Sequence, residues 1–287
     1  MGRKRGYLQD WITQAWVKTT GRRFYPEKES WLTGPSGDTR EIKDEYIYRL
    51  CKTENLRLEK NQPDFGLIDE ISEWQLPAAD EKRLHPTIID FYTHTYNYGF
   101  EVKSTWKGIF YPFGWLLTLI FSRRLQQLNL PLTAEDTAQG LESNLIKLFS
   151  DDQKRAKYTI WYRTQKKKGT VVFSGIYGYT FVPAENRTCL KIVFPLPNGN
   201  ATIILNIQVL ENGSLRLTSK GKRDGEPGFY FLLENGTGDY WVKYVKAMHE
   251  TLDVFVDEGN ILKATHTFKF HGLTFMTLHY TMHKKQL

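Results

Sequence analysis

The fold is decided by residues 250–283, which read ETLDVFVDEGNILKATHTFKFHGLTFMTLHYTMH. β-Branched and aromatic residues dominate this stretch, and apolar positions alternate with polar ones over most of it, as in half-buried β-strands. Two turn sequences, Glu258-Gly259-Asn260 and His271-Gly272, interrupt the pattern. We therefore predict three strands here, at residues 250–256, 262–270 and 273–283.

The same pattern extends backwards along the chain to Tyr158. The turn sequences Pro197-Asn198-Gly199, Asn212-Gly213 and Asn235-Gly236 separate further short strands at regular spacing. We predict an α+β fold in which residues 151–287 form a large antiparallel β-meander that closes into a barrel or a strongly curved sheet. The seven further strands are expected at residues 158–163, 170–182, 189–196, 201–210, 214–220, 229–233 and 240–247.

Residues 84–150 are predicted to be a helical segment packed against this sheet. His85-Pro86 places a proline in the first turn of one helix, residues 115–128 suit a second, and Thr133 begins a third. The apolar side of the third helix is expected to consist of Leu141, Leu145, Ile146, Leu148 and Phe149. Residues 1–83 are predicted to be a polar segment with one short amphipathic helix, and residues 84–287 to be one folding unit.

In a simple meander, the connections alternate between the two ends of the sheet. One end would then carry a basic rim, and the other end an acidic one with Glu185, Glu234 and Glu258. The residues of the predicted basic rim that we expect to contact a ligand are Lys166, Lys168, Lys222 and Arg223.

Composition narrows the function classes. The 287 residues are 40% hydrophobic and 25% charged with a net charge of +7, as in a globular basic protein. Two cysteines without short spacing and an amino terminus without an apolar stretch predict a cytoplasmic protein, with peripheral membrane contact as the alternative.

The motifs GxGxxG, GxxxxGK[ST], HExxH and GxSxG do not occur, and we predict neither a cofactor nor a metal. The basic residues cluster in loops away from the aromatic ones, which does not favour nucleic acid as a partner.

Strand parity predicts a carboxylate–histidine pair. If the loop 258–260 pairs Val256 with Leu262, then Leu252 lies opposite His266 and Glu250 lies diagonal to it, within reach of a long side chain. The two residues would face a cavity as an acid–base pair. The alternatives are a buried pair whose only role is to hydrogen-bond to each other, and a Glu250 that is exposed to solvent at the mouth of the barrel.

Aromatic residues at one parity of a long strand predict an inner wall for a ligand: Phe173, Tyr177, Tyr179 and Phe181. The leading hypothesis is a protein that binds an apolar or amphipathic small molecule or lipid in a curved sheet. The first alternative is an isomerase, cyclase or hydrolase that uses Glu250 and His266 on an apolar substrate. The second is a structural or interaction module with a solid core.

The amino-terminal helix has one apolar face, formed by Leu8, Trp11, Ile12 and Trp16. This face is expected either to dock on the main body or to lie on a membrane surface, where Trp11, Trp16 and the nearby basic residues would contact lipid.

Overall fold

The computed structural model describes residues 8–38, 44–106, 141–166, 169, 171–235 and 238–285. Within these ranges the chain forms α1 (Leu8–Thr20), α2 (Glu45–Glu54), α3 (Ala78–Arg83) and α4 (Pro86–Thr93), with 3-10 helices at Ser30–Leu32, Ile71–Trp74 and Thr95–Asn97. The strands are β1 (Arg22–Phe24), β2 (Leu56–Lys60), β3 (Tyr98–Trp106), β4 (Leu141–Ser150), β5 (Tyr158–Gln165), β6 (Val171–Val182), β7 (Arg187–Leu196), β8 (Gly199–Val209), β9 (Leu215–Thr218), β10 (Phe229–Asn235), β11 (Asp239–Tyr244), β12 (Met248–Val256), β13 (Leu262–Phe270) and β14 (Leu273–Lys284).

All strands belong to one antiparallel sheet, which confirms the predicted α+β class with a large antiparallel sheet. The main path of neighbouring strands is β2-β4-β5-β6-β7-β8-β9-β12-β13-β14-β3, and β10, β11 and β1 branch from β8. The ten strands predicted from the sequence correspond one to one to β5–β14. The sheet is not closed into a barrel, because the strands at the two ends of its path, β2 and β3, do not pair with each other in the described residues.

The sheet is nevertheless strongly curved. Phe100 lies on β3, the last strand of the path, and its ring centroid is 5.3 Å from that of Trp161 on β5, the third strand. The Arg163 guanidinium on β5 is likewise 5.9 Å from the ring centroid of Tyr280 on β14. Side chains from distant strands therefore meet on one face, which we call the concave face.

The meander contains a branch that the sequence does not predict. β9 and β10 both pair antiparallel with β8, so they run in the same direction. β11 pairs with β10, and β12 pairs with β9, both antiparallel. The four strands therefore form one long hairpin. One arm consists of β9 and β10 and is interrupted at residues 219–228; the other consists of β11 and β12 and is interrupted at residues 245–247.

This branch overturns the predicted charge separation. The simple meander places the loop at Asn198 at the basic end and Glu234 at the acidic end, yet the Glu234 N–H donates to the Asn198 carbonyl at 2.7 Å. Lys220 and Lys222 line a surface pocket of about 270 Å³ together with Glu185, which was expected at the other end. The prediction is wrong because β9 and β10 do not form a hairpin with each other.

The helical prediction for residues 84–150 is confirmed in one part only. Pro86 begins α4, and the His85 ring caps this helix by accepting the Thr87 N–H at 3.2 Å. Residues 98–106 and 141–150 are instead the strands β3 and β4. The helix predicted at residues 115–128 and the start of the one predicted at Thr133 lie outside the described residues.

The chain between β2 and β3 fills part of the concave face. Its apolar side chains belong to the same buried cluster as Trp161, Ile192, Leu205 and Val254 of the sheet. The Phe91 ring, for example, lies 5.9 Å from Phe100 and 6.4 Å from Trp161. The members from this segment are Phe65, Leu67, Ile68, Trp74, Leu84, Ile88, Phe91 and Tyr92.

The opposite, convex face is covered by two other segments. Helix α2 buries Tyr46, Ile47 and Leu50 against β4–β7. The segment of β1 and the 3-10 helix Ser30–Leu32 buries Phe24, Trp31 and Leu32 against a second cluster that includes Ile204 of β8 and Tyr230 of β10. The sheet is therefore buried on both faces over much of its width.

Candidate functional site

Glu250 and His266 meet on the concave face, as strand parity predicts. Val256 pairs with Leu262 and Leu252 with His266, so β12 and β13 have the predicted register. Nε2 of His266 lies 2.8 Å from Oε2 of Glu250, which is a hydrogen bond between a ring nitrogen and a carboxylate. The side chains of Glu250 and His266 are 10% and 18% exposed. The pair therefore lies largely out of water but remains accessible.

The other oxygen of this carboxylate is without a partner. Oε1 of Glu250 is buried and makes no hydrogen bond in the described structure. Such an acceptor costs folding free energy, on the order of 1–3 kcal/mol and more when it is charged. The contact with His266 therefore satisfies one of the two carboxylate oxygens of Glu250 and leaves the other unsatisfied in the described structure.

Arg163 of β5 is a second charged group on the concave face. The residue is 7% exposed, and its Nε is buried without a partner. The guanidinium lies 4.1 Å from the ring centroid of Trp161 and 4.6 Å from that of Phe173, so two aromatic faces stabilise the charge. No buried carboxylate neutralises Arg163 by direct contact in the described residues.

Two phenols are influenced electrostatically by both Arg163 and Glu250. Burial raises the pKa of Tyr280, while the charge of Arg163 and a hydrogen bond from it lower this pKa, and Glu250 raises it. Burial also raises the pKa of Tyr177, with Arg163 acting to lower it and Glu250 to raise it. Because both phenols respond to both charged groups, Arg163, Tyr177, Tyr280, Glu250 and His266 form one polar cluster, which we call the inner cluster.

The predicted aromatic wall divides into two parts. Phe173 and Tyr177 face the concave core, and their ring centroids lie 6.0 Å apart. Tyr179 and Phe181, further along β6, are 43% and 51% exposed. The prediction that all four side chains line the interior is wrong for the latter two.

The four basic residues that were predicted to contact a ligand do not converge on the inner cluster. Lys166 is exposed at the end of β5, and Lys168 lies outside the described residues. Lys222 and Arg223 lie in the loop 219–228, where Glu226 accepts the Lys222 N–H at 2.7 Å and contacts Arg223 Nε at 2.9 Å. The cation of the inner cluster is Arg163, which sequence reasoning missed although it shares the parity of Trp161.

Metal-ligand clusters and membrane-spanning helices are both absent from the residues that the structure describes. No group of three or more His, Cys, Asp or Glu residues within the described ranges is arranged to hold a metal ion. In the same part of the chain, no helix is both long and apolar enough to cross a bilayer.

Comparison with known proteins gives one distant relative. The Bacillus subtilis (strain 168) protein named "Uncharacterized membrane protein YndJ" is 27% identical over 230 residues, which are 79% of this chain and 40% of that protein. The chain thus spans about 40% of the length of this relative. No family model matches the chain, and no solved structure matches it.

Proposed function

We propose that this protein binds an amphipathic small molecule or lipid on the concave face of its sheet. The polar head of the ligand lies at the inner cluster, and its apolar part lies against the aromatic side chains beside it. One observation carries the proposal: two buried charged side chains, Arg163 and Glu250, each keep a polar atom without a partner.

The energetics of these two groups support a ligand as their partner. A buried unpartnered donor or acceptor costs about 1–3 kcal/mol, and a charged one costs more. A head group with an acceptor for Arg163 Nε and a donor for Glu250 Oε1 would satisfy both. A hydroxy acid has this combination, because its carboxylate accepts and its hydroxyl group donates.

The surroundings suit an apolar tail. Trp161, Phe173 and Tyr177 lie within 5.6–6.0 Å of one another, measured between ring centroids. Phe173, Tyr177, Leu252 and Tyr280 are only partly buried, so contact area remains for a ligand.

Native mass spectrometry of the chain purified from its own host tests the proposal. We expect an additional mass that is released on denaturation and that hydrophobic extraction recovers. In the Arg163→Met variant, the fraction of the chain that carries this ligand should be at least tenfold lower. Its free energy of unfolding should stay within about 1 kcal/mol of that of the native chain, because removing a buried unpaired charge relieves a cost.

The matched control is Arg216→Met. Arg216 contacts Asp253 with Nε at 2.6 Å, and Asp253 lies on the opposite face of β12 from Glu250. This variant should keep full occupancy. A clean apo mass for the native chain, together with no binding of a hydrophobic dye, would instead identify a structural module with a solid core.

A second candidate function is supported by the 2.8 Å contact between Glu250 and His266. Such a pair can move a proton to and from an apolar substrate, as in an isomerase, cyclase or hydrolase. Glu250→Gln and His266→Asn variants would then retain a substrate that the native chain converts. Different ligand masses from the native chain and from both variants would favour the enzyme, and identical masses would favour the binding protein.

A further inference from the structure

Helix α1 docks on the body of the protein with the side opposite its apolar face. Val17 is 2% exposed and belongs to the concave core, and Trp16 contacts Phe231 edge-on at 5.6 Å. Trp11 and Ile12 are 60% and 62% exposed. At 100° per residue, Trp11, Ile12, Ala15 and Thr19 share one side of the helix, and Val17 points away from that side.

This orientation is the reverse of the usual one. A surface helix of a globular protein normally turns its apolar stripe toward the core and its polar side toward water. Here the large apolar side chains Trp11 and Ile12 point outward. The predicted docking of the face formed by Leu8, Trp11, Ile12 and Trp16 therefore holds for Trp16 in part and fails for Trp11 and Ile12.

Positive charge surrounds the carboxyl end of the helix. The Lys18 Nζ and the Arg23 guanidinium lie 5.1 and 4.1 Å from the ring centroid of Trp241, and the Lys243 Nζ lies 5.9 Å from that of Trp16. Asp239, which contacts Arg23 at 2.8 Å, is the acidic residue of this group. Arg22, beside Arg23, contacts Glu29 and Asp224, so four cations stand against three anions at this end of the helix and leave an excess of one positive charge.

The sequence adds charge at the other end of the helix, since Arg3, Lys4 and Arg5 precede it in the chain. Tryptophan and aliphatic residues flanked by Lys and Arg are the composition of helices that lie in the plane of a bilayer surface. Each cation near an anionic surface contributes about 1 kcal/mol. Lipid therefore matches both the apolar face and its charge.

We propose that α1 docks on anionic lipid surfaces, with Trp11 and Ile12 inserted at the boundary between head groups and acyl chains. This inference rests on α1 and is independent of the inner cluster. The protein is thereby placed beside a reservoir of amphipathic molecules, but docking does not require that it bind any of them inside.

Flotation of the full chain with vesicles tests the inference. We expect binding to vesicles of 70% phosphatidylcholine and 30% phosphatidylglycerol, and at least tenfold weaker binding to phosphatidylcholine alone or in 0.5 M NaCl. The double variant Trp11→Ser/Ile12→Ser should bind at least tenfold more weakly. Its far-UV circular dichroism should match that of the native chain, because both side chains are exposed.

The matched control is Tyr48→Ser, which removes another exposed aromatic side chain, from α2. This variant should bind vesicles like the native chain. Equal binding by the double variant and the native chain would overturn the inference. So would an absence of vesicle binding combined with dimerisation that the double variant abolishes, which would make a second copy of the chain the occupant of this face.

Discussion

Two cations, Arg163 and Lys191, show how single residues contribute to the organisation of this molecule. The guanidinium of Arg163 on the concave face lies 4.1 Å from the ring centroid of Trp161 and 4.6 Å from that of Phe173. Lys191 of β7 instead donates to the carbonyl oxygens of Trp31, at 2.8 Å, and of Thr33. The Nε of the first residue is buried without a partner, whereas the second uses its ammonium group to hold the chain near the 3-10 helix Ser30–Leu32 on β7.

Lys191 should make stability depend on pH. Burial lowers the pKa of its ammonium group from 10.5 to about 8. Below pH 8 both the folded and the unfolded chain hold the proton, and the cost of the buried charge is fully present. Between pH 8 and 10.5 the unfolded chain binds more protons, so stability rises with pH.

Comparison with Lys191→Met isolates this contribution. The free energy of unfolding of the native chain, minus that of the variant, should rise between pH 7.5 and 10.5 by an amount on the order of 3 kcal/mol, at about 1.4 kcal/mol per pKa unit. Urea denaturation at several pH values gives this difference. A difference that stays constant over the range would show that Lys191 is not buried in its charged form.

At the scale of elements, the antiparallel pairing of β8 with β10 depends on a glycine. A Cβ added to Gly199 would lie 1.9 Å from the carbonyl oxygen of Leu232, and backbone cannot move aside as a side chain can. Gly178 of β6 is the natural control, because a Cβ added there has no heavy atom within 4 Å.

Gly199→Ala should therefore lower the free energy of unfolding by about 3 kcal/mol or more. Gly178→Ala should leave it unchanged or raise it by roughly 0.5 kcal/mol, since alanine restricts the unfolded chain. Urea denaturation of the two variants side by side measures both effects. Equal stabilities would mean that β8 and β10 do not approach as closely as described.

The elements also show what the sequence predicts well. β5–β14 follow from β-branched and aromatic residues bounded by Asn-Gly and similar turns, which act locally. β3 carried the same signal, with Tyr98, Phe100 and Val102 at every second position, and was missed. β4 was mistaken for a helix because residues 145–149 are all buried, against the concave core on one side and α2 on the other. A strand buried on both faces loses its alternation.

For the molecule as a whole, one buried cluster connects the parts that the sequence divides at residue 83. It includes Val17 of α1, Trp74 and Phe91, along with side chains from the middle of the sheet. Trp74 and Tyr92, on either side of that boundary, have ring centroids 4.8 Å apart. The described chain should therefore unfold as one cooperative unit.

Phe91→Ala tests this expectation. The ring is 3% exposed and contacts four other aromatic rings, so its removal should cost about 3–5 kcal/mol. Transitions followed by tryptophan fluorescence and by far-UV circular dichroism should shift together to lower urea concentration. Two separate transitions, of which the variant moves one, would indicate two folding units.

The inner cluster shows where sequence reasoning ends. Glu250 and His266 come from adjacent strands joined by a short loop, so parity and loop length suffice to pair them. Arg163 and Tyr280 lie more than one hundred positions apart in the chain, and they meet because the sheet curves. Curvature follows from the packing of the whole sheet and its filling segment, which leaves no mark in a local pattern.

The pairing of β3 with β14 has a consequence for synthesis on the ribosome. β3 ends at residue 106 and its partner begins at residue 273, so about 170 residues are made before the two can meet. At ~5–20 residues per second, the nascent chain carries an unpaired β3 for on the order of 10–30 s. An unpaired strand edge can associate with other chains. We therefore expect chaperones to protect the unpaired edge of β3 during translation, until β14 emerges and pairs with it.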